Sequence, residues 1–351
     1  MDPGSVNEAT PWTRAWGRLK AEAFYVIVFI LVAIIGGVQT AKSFRGEGEG
    51  PPTFIPVDQK ALRRLNLQIV AQRALRQHKA VRFYLAVARL NLCFLATGTA
   101  AVLILVYLRI SRERPASLLT AAGPPWGLWD VLKVAALFAG GAQLFHWIFT
   151  TGPSRPFTLP ADWMAEIFAR ILLIGAIIHI AIVERKGRLS DLGLRRGGGS
   201  AALVGLAAFL AVQPFMRLTE AAELRWVSPL PLQDVLQAIY VTRSVAVLTL
   251  ATILAVVVTP LSEELLFRGF LQPALQRWLG PSLGILGSAA FFAAAHRDLY
   301  VLPNMLVLGL ALGYVYSRSR SLAAPVALHM AYNGMVMLTL FTWRGLAAAV
   351  R

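Results

Sequence analysis

Long apolar runs separated by short charged stretches dominate this sequence. A helix needs about 20 mostly apolar residues to cross the hydrocarbon core of a bilayer, and a backbone inside lipid must satisfy its own hydrogen bonds. The sequence therefore predicts an all-α, polytopic integral membrane helical bundle of about eight or nine transmembrane helices. The runs are Phe24–Val38, Leu92–Leu108, Val134–Phe149, Ile167–Val183, Ala201–Met216, Val245–Leu261, Leu283–Ala295, Val301–Val315 and Ala323–Phe341.

The charge content agrees with a membrane protein. Charged residues make up 15% of the 351 residues, against about a quarter in soluble domains. The 34 basic and 18 acidic side chains give a net charge of +16. In membrane proteins Lys and Arg collect at cytoplasmic loops and lipid headgroups, so we expect the lipid bilayer as a partner and no nucleic acid. Cys93 is the only cysteine, which excludes an intramolecular disulfide and a cysteine-based metal site.

Four segments are predicted along the chain. Residues 1–57 contain an N-terminal tail, the first membrane anchor and a Gly/Pro loop, and residues 58–183 a basic amphipathic helix followed by added transmembrane helices. Residues 184–344 form the predicted core, and residues 345–351 a C-terminal tail. Two interpretations of the basic 58–90 helix stay open, namely a lipid- or partner-binding surface and a solvated helix without a ligand.

The positive-inside rule gives a partly contradictory topology. Basic residues after Val183 predict that this loop is cytoplasmic. The same count places the basic 42–90 segment outside, against the rule. Either that segment is an exception or the Phe24–Val38 run does not span the membrane.

Two adjacent glutamates follow a Thr259-Pro260 break, and ionisable side chains inside apolar helices are candidates for function. Glu264 and Arg268 are four residues apart, which predicts an ion pair on one helix face. Glu263 points about 100° away from Glu264. Glu264 is therefore predicted to be structural, while Glu263 stays available for proton transfer.

Two histidine motifs follow on apolar segments. Phe292 and His296 form FxxxH at the end of a helix rich in small residues, and His329 and Asn333 form HxxxN, which places an imidazole and a carboxamide on one helix face. Taken alone, each motif fits a structural role better than a catalytic one.

A glutamate, two histidines and an asparagine in one low-dielectric cavity are sufficient for amide hydrolysis. Glu263 would take a proton from water, His296 would share that water or hold a metal ion, and His329 with Asn333 would donate to the oxyanion. Zinc is the second chemical interpretation, with His296, His329 and Glu263 as candidate ligands. Both interpretations stay open from the sequence.

The order EExxxR, FxxxH and HxxxN resembles the CPBP intramembrane protease family, which includes bacterial Abi-type proteins and eukaryotic type II CAAX prenyl endopeptidases. The resemblance covers roughly residues 245–342, and Leu189–Leu194 looks like the family's connection into its core. It implies a hydrolase, a CAAX-protease-like intramembrane endopeptidase with zinc as a candidate cofactor. Its substrate would be a membrane-associated protein or peptide, and its location the plasma (inner) membrane of a prokaryote.

The resemblance also assigns roles to residues. Glu263 and His296 would activate the attacking water, and His329 and Asn333 would form the oxyanion site or bind metal. Glu264, Arg268 and Phe292 would support them. The same residues also fit a non-catalytic membrane scaffold or immunity-type protein, in which they form a buried polar network. For one site to form, the Leu283–His296 segment must stop inside the membrane or its neighbours must bend.

Overall fold

A computed structural model describes residues 79–111, 123–151, 161–195, 198–226, 239, 242–296 and 301–350. The predicted first run, Phe24–Val38, and most of the basic 58–90 stretch lie outside these residues. Within the described ranges the chain forms helices and turns without a strand, which confirms the all-α prediction.

The described residues form eight helices. They are α1 Lys79–Ser111, α2 Leu128–Thr151, α3 Ala161–Ile178, α4 Gly198–Trp226, α5 Val245–Leu279, α6 Pro281–Ala295, α7 Leu302–Ser319 and α8 Ala323–Val350. Six of them, α1 to α5 and α8, are long and apolar enough to cross a membrane, and α6 is a shorter apolar helix. The chain is therefore a multi-pass membrane protein.

Helix α5 contains two π-helical segments, Leu254–Val258 and Leu265–Leu271. The first immediately precedes Thr259 and Pro260, where the α-helix resumes. Proline has no N–H and crowds the carbonyl one turn earlier, and the wider turn lets the helix continue through the predicted break. A π segment also changes the pairing of backbone carbonyls, and such segments recur at functional sites.

Side chains from outside α5 bond to carbonyls of both π segments. Asn333 Nδ2 donates to Ala255 O at 2.8 Å, and Ser288 Oγ donates to Phe267 O at 2.9 Å. Trp126 Nε1 donates to Phe270 O at 2.9 Å. These bonds tie the irregular parts of α5 to α8, to α6 and to the segment before α2.

The described chain contains two compact units. One comprises Trp129–Ala176, where α2 and α3 pack through the Phe145 and Phe168 rings, whose centroids are 5.4 Å apart. The other comprises residues 79–128 and 177–350 and contains all three sequence motifs. The four-segment organisation drawn from the sequence stays a prediction.

Small residues allow close helix approach in the second unit. A Cβ at Gly205 of α4 would lie 2.0 Å from the Ala324 carbonyl oxygen of α8, and one at Gly98 of α1 would lie 2.0 Å from the Leu210 oxygen of α4. Such small-residue contacts are typical of helices packed in membranes. Helix α8 therefore packs against α4, while α6 packs against α7 and the C-terminal part of α5.

The Leu189–Leu194 segment lies against this bundle. Gly193 has a φ of +81°, which favours glycine, and its carbonyl accepts the Leu322 N–H at 3.0 Å. The Leu192 oxygen is 2.9 Å from the position of a Cβ at Gly269. The segment therefore contacts both α5 and the turn between α7 and α8.

Candidate active site

The predicted ion pair between Glu264 and Arg268 is confirmed. Arg268 Nη1 donates to Glu264 Oε1 at 3.1 Å, and both side chains are 0% exposed. Arg268 Nη2 also donates to the Gly309 carbonyl of α7 at 3.1 Å. Burial of a charge is costly unless partners and hydrogen bonds compensate it. For Arg268 these partners are Glu264 of α5 and the Gly309 carbonyl of α7.

His329 of α8 joins the same carboxylate. Its Nδ1 lies 2.8 Å from Glu264 Oε1, and the side chain is 2% exposed. An ionised carboxylate only accepts hydrogen bonds, so Nδ1–H is the donor and Nε2 is the nitrogen left for chemistry. No sequence pattern predicts this contact, because Glu264 and His329 are 65 positions apart.

Glu263 lies on the Nε2 side of the His329 imidazole, opposite Glu264. Its Oε2 is 4.0 Å from His329 Nε2, and its side chain is 17% exposed. Glu263 is therefore the more open of the two adjacent glutamates, as the 100° separation predicted. The 4.0 Å separation exceeds a direct hydrogen bond.

Helix α6 is short, as the sequence required for one site to form. Its 15 residues correspond to about 22 Å at 1.5 Å per residue, against a hydrocarbon core of about 30 Å. His296 caps its C-terminus, and its Nδ1 lies 2.8 Å from the Phe292 carbonyl oxygen. Because that oxygen only accepts, Nδ1–H donates and Nε2 of His296 is left as an acceptor.

The Phe292 ring brings the motifs together. It is fully buried, and its centroid lies 4.8 Å from that of His296 and 5.6 Å from that of His329, both in edge contact. The Arg268 guanidinium carbon lies 4.5 Å from the same centroid, within the range of a cation–π contact. Phe292, which the sequence predicted to be a supporting residue, thus contacts one residue from each of the three motifs.

Asn333 occupies a different position from the other site residues. It lies one turn after His329 on α8, and its Nδ2 donates to the Ala255 carbonyl oxygen at 2.8 Å. One amide N–H is therefore used to hold the first π segment of α5. The structure brings Arg268, His296 and His329 to the Phe292 ring, and Glu264 and Glu263 lie on the two sides of the His329 imidazole. Asn333 borders this cluster.

The predicted zinc ligands do not form a complete set. No group of three or more His, Cys, Asp or Glu side chains in the described part of the chain is close enough to hold a metal ion. Catalytic zinc sites use three protein ligands and an open position, whereas the described residues contain no such group of three. The arrangement does not fit zinc as it stands, and zinc binding stays a prediction.

Glu264 Oε2 and Arg268 Nε are buried polar atoms of the cluster without a hydrogen-bond partner among the described residues. Buried polar atoms are rarely unsatisfied, and such exceptions often mark functional sites. The cluster therefore has unused hydrogen-bonding capacity beside its partly exposed carboxylate.

Residues 245–335 match a known protease family. The matching family model is described as type II CAAX prenyl endopeptidase Rce1-like. The match contains every motif residue from Glu263 to Asn333, so the predicted resemblance is confirmed over this segment. At the level of that family it supports a CAAX-protease-type function and a hydrolase.

A curated relative extends the similarity beyond this segment. The chain is 26% identical over 226 residues to an Escherichia coli protein named "Uncharacterized 24.3 kDa protein", covering 61% of this chain and 89% of that protein. No solved structure matches the chain.

Proposed function

We propose that the protein is an intramembrane endopeptidase of the plasma membrane of a prokaryote. It hydrolyses a peptide bond of a membrane-associated protein or peptide, in the manner of CAAX proteases. One observation carries the proposal, namely that two histidines with anchored Nδ1 atoms meet at the Phe292 ring within the family-matched segment, and that Glu263 lies 4.0 Å from Nε2 of one of them, His329.

Glu263 acts as the general base in this mechanism. It takes one proton from a water molecule, and Nε2 of His296 accepts a hydrogen bond from the same water, since its Nδ1–H is held by the Phe292 carbonyl. The water oxygen attacks the peptide carbonyl carbon. The C–N bond then breaks, and the proton held by Glu263 passes to the leaving amine, so that atoms and charge balance.

Glu264 and Arg268 orient His329. The Glu264 carboxylate holds Nδ1–H of His329, and Arg268 holds that carboxylate. For His329 to donate to the oxyanion, Nε2 must carry a proton as well, and Glu263, 4.0 Å away, would exchange that proton through one water molecule. The second amide N–H of Asn333 supplies the other oxyanion donor, since one is used on Ala255.

The test is cleavage by purified protein in lipid vesicles. Peptides from membrane proteins and a C-terminally prenylated CAAX peptide serve as substrates, and mass spectrometry identifies new termini. We expect Glu263→Gln to lower cleavage about 10²- to 10⁴-fold, because a general base contributes about that much. The melting temperature should stay within a few degrees. Glu184→Gln removes a carboxylate outside the cluster and should cleave at the wild-type rate. Wild-type cleavage by Glu263→Gln would contradict the mechanism.

A non-catalytic membrane scaffold or immunity-type protein is the second candidate. The observation in its favour is that Glu264, Arg268 and His329 are almost completely buried and connect α5, α7 and α8, as a structural network would. In that case Glu263→Gln leaves the biological activity intact, while truncation of Arg268 destabilises the fold.

Elemental analysis addresses zinc. The reaction above uses no metal, so we expect chelator-treated protein to keep its activity. About one zinc per chain that disappears in His296→Ala/His329→Ala, together with loss of activity on chelation, would contradict this expectation and favour metal-activated water.

A further inference from the structure

A short segment before α2, residues 123–128, lies against the C-terminal half of α5, and we call it the strap. Trp126 is completely buried, and its indole N–H donates to the Phe270 carbonyl oxygen at 2.9 Å. The Trp126 and Phe270 rings also stack, with centroids 5.1 Å apart and planes 19° apart. About two turns further along α5, Arg277 Nη1 donates to the Pro124 oxygen at 3.2 Å.

The strap contacts the part of α5 whose backbone bonding is irregular. Phe270 belongs to the π segment Leu265–Leu271, and a buried carbonyl without a donor is costly. Ser288 of α6 donates to the Phe267 carbonyl of the same segment at 2.9 Å. Arg268 therefore lies between two carbonyls that are each tethered to another part of the chain.

The strap is itself confined. A Cβ at Gly187 would lie 2.9 Å from Pro125 Cγ and 2.7 Å from the Ala181 oxygen. The turn that contains Gly187 thus packs closely against Pro125, the residue before Trp126.

We propose that Trp126 is a positioning residue for the active site. By holding the Phe270 carbonyl and ring, it fixes the π segment that aims Arg268 at Glu264, and through Glu264 it orients His329. Trp126 lies outside the family-matched residues 245–335. Its effect on cleavage rests on the proposed function, whereas its effect on the π segment does not.

The experiment compares wild type, Trp126→Phe, Arg277→Met and Trp278→Phe in lipid nanodiscs. Trp126→Phe keeps an aromatic ring but removes the N–H donor. Arg277→Met loosens the strap at an exposed position, so folding should not depend on it. Trp278 lies next to Arg277 on α5 and is 76% exposed. Trp278→Phe therefore makes the same change as Trp126→Phe at an exposed position and is the matched control. The two readouts are backbone hydrogen exchange of peptides covering residues 264–272, and kcat and KM for cleavage.

We expect Trp126→Phe to raise exchange over residues 264–272 about tenfold, because local opening becomes easier. It should also lower kcat about tenfold or more with KM within about twofold, since small displacements at an active site are costly. Arg277→Met should also raise exchange over residues 264–272 and lower kcat, but by smaller factors. Trp278→Phe should leave exchange and kcat unchanged. If Trp126→Phe does not fold, the Arg277→Met comparison decides.

Unchanged exchange over residues 264–272 in Trp126→Phe would overturn the proposal. So would raised exchange with an unchanged kcat, which is the result expected of a merely structural contact. If exchange rises and wild type cleaves no substrate, the proposed function fails while the role of Trp126 in fixing the π segment stands.

Discussion

Two buried polar clusters in the same unit use the same helix, α8, in different ways. The first surrounds Glu264 and contains Arg268 and His329. The second surrounds Asn304, which donates from Nδ2 to the Tyr332 hydroxyl at 3.0 Å, accepts from Thr219 Oγ1 at 2.8 Å, and donates its backbone N–H to Glu223 at 3.2 Å. These three hydrogen bonds of Asn304 all go to other helices, α4 and α8.

The difference between the clusters indicates where chemistry is feasible. The amide of Asn304 bonds on both its oxygen and its nitrogen, whereas the Glu264 cluster keeps a buried oxygen without a partner and adjoins the partly exposed Glu263. A buried network whose polar groups bond to neighbouring helices fixes helix packing and specifies a unique core. A network with capacity left over can also bind and move protons.

The largest stability effect is expected from Arg268. Arg268→Met leaves the Glu264 carboxylate buried without its cation, and removal of one partner of a buried ion pair costs about 3–5 kcal/mol. Thermal or urea unfolding in detergent measures this loss. The double variant Glu264→Gln/Arg268→Met should recover part of it, because no unpaired charge remains. If Arg268→Met were as stable as wild type, the Glu264–Arg268 pair would not be needed for folding.

Asn304 should have an intermediate effect. Asn304→Ala leaves the Thr219 and Tyr332 hydroxyls without their amide partner, and such losses cost about 1–3 kcal/mol. The cleavage rate per folded molecule should stay within about twofold of wild type, as this cluster lies apart from the reacting groups. A much lower rate in fully folded Asn304→Ala would place this cluster in the catalytic machinery and remove the contrast.

His296 should have the smallest effect on stability and a large effect on cleavage. Its side chain bonds to its own helix and is only partly buried, so His296→Ala should cost about 0.5–1.5 kcal/mol, the net value of one hydrogen bond. Cleavage should fall about 10²-fold or more, because His296 holds the attacking water. The same unfolding and cleavage assays measure both. Unchanged cleavage would exclude His296 from the reaction.

The sequence predicted contacts within a helix better than contacts between helices. The Glu264–Arg268 pair followed from two positions four residues apart on one helix, and the structure contains it. The contact of Glu264 with His329 depends on how α8 packs against α5, which periodicity cannot report. His329 was predicted at the oxyanion with Asn333, and the structure adds that a carboxylate orients it.

Other features had no sequence signal. The first π segment of α5 is entirely apolar, and the second is apolar except for Arg268, so the apolar pattern cannot show a change of helical period. Trp126 meets Phe270 across 144 positions, and a single tryptophan in a Gly/Pro-rich stretch predicts no partner. Only the fold brings these residues together.

The three anchors on α8 bear on how a peptide enters the site. Within about one helical turn, His329 and Asn333 bond to α5, and Tyr332 bonds to α7. Rotation or sliding of α8 would break all three bonds at once. The polar side chain at the end of α6, His296, bonds instead to its own helix. For a substrate of the proposed reaction, α8 is therefore a wall of the site that α5 and α7 hold in place.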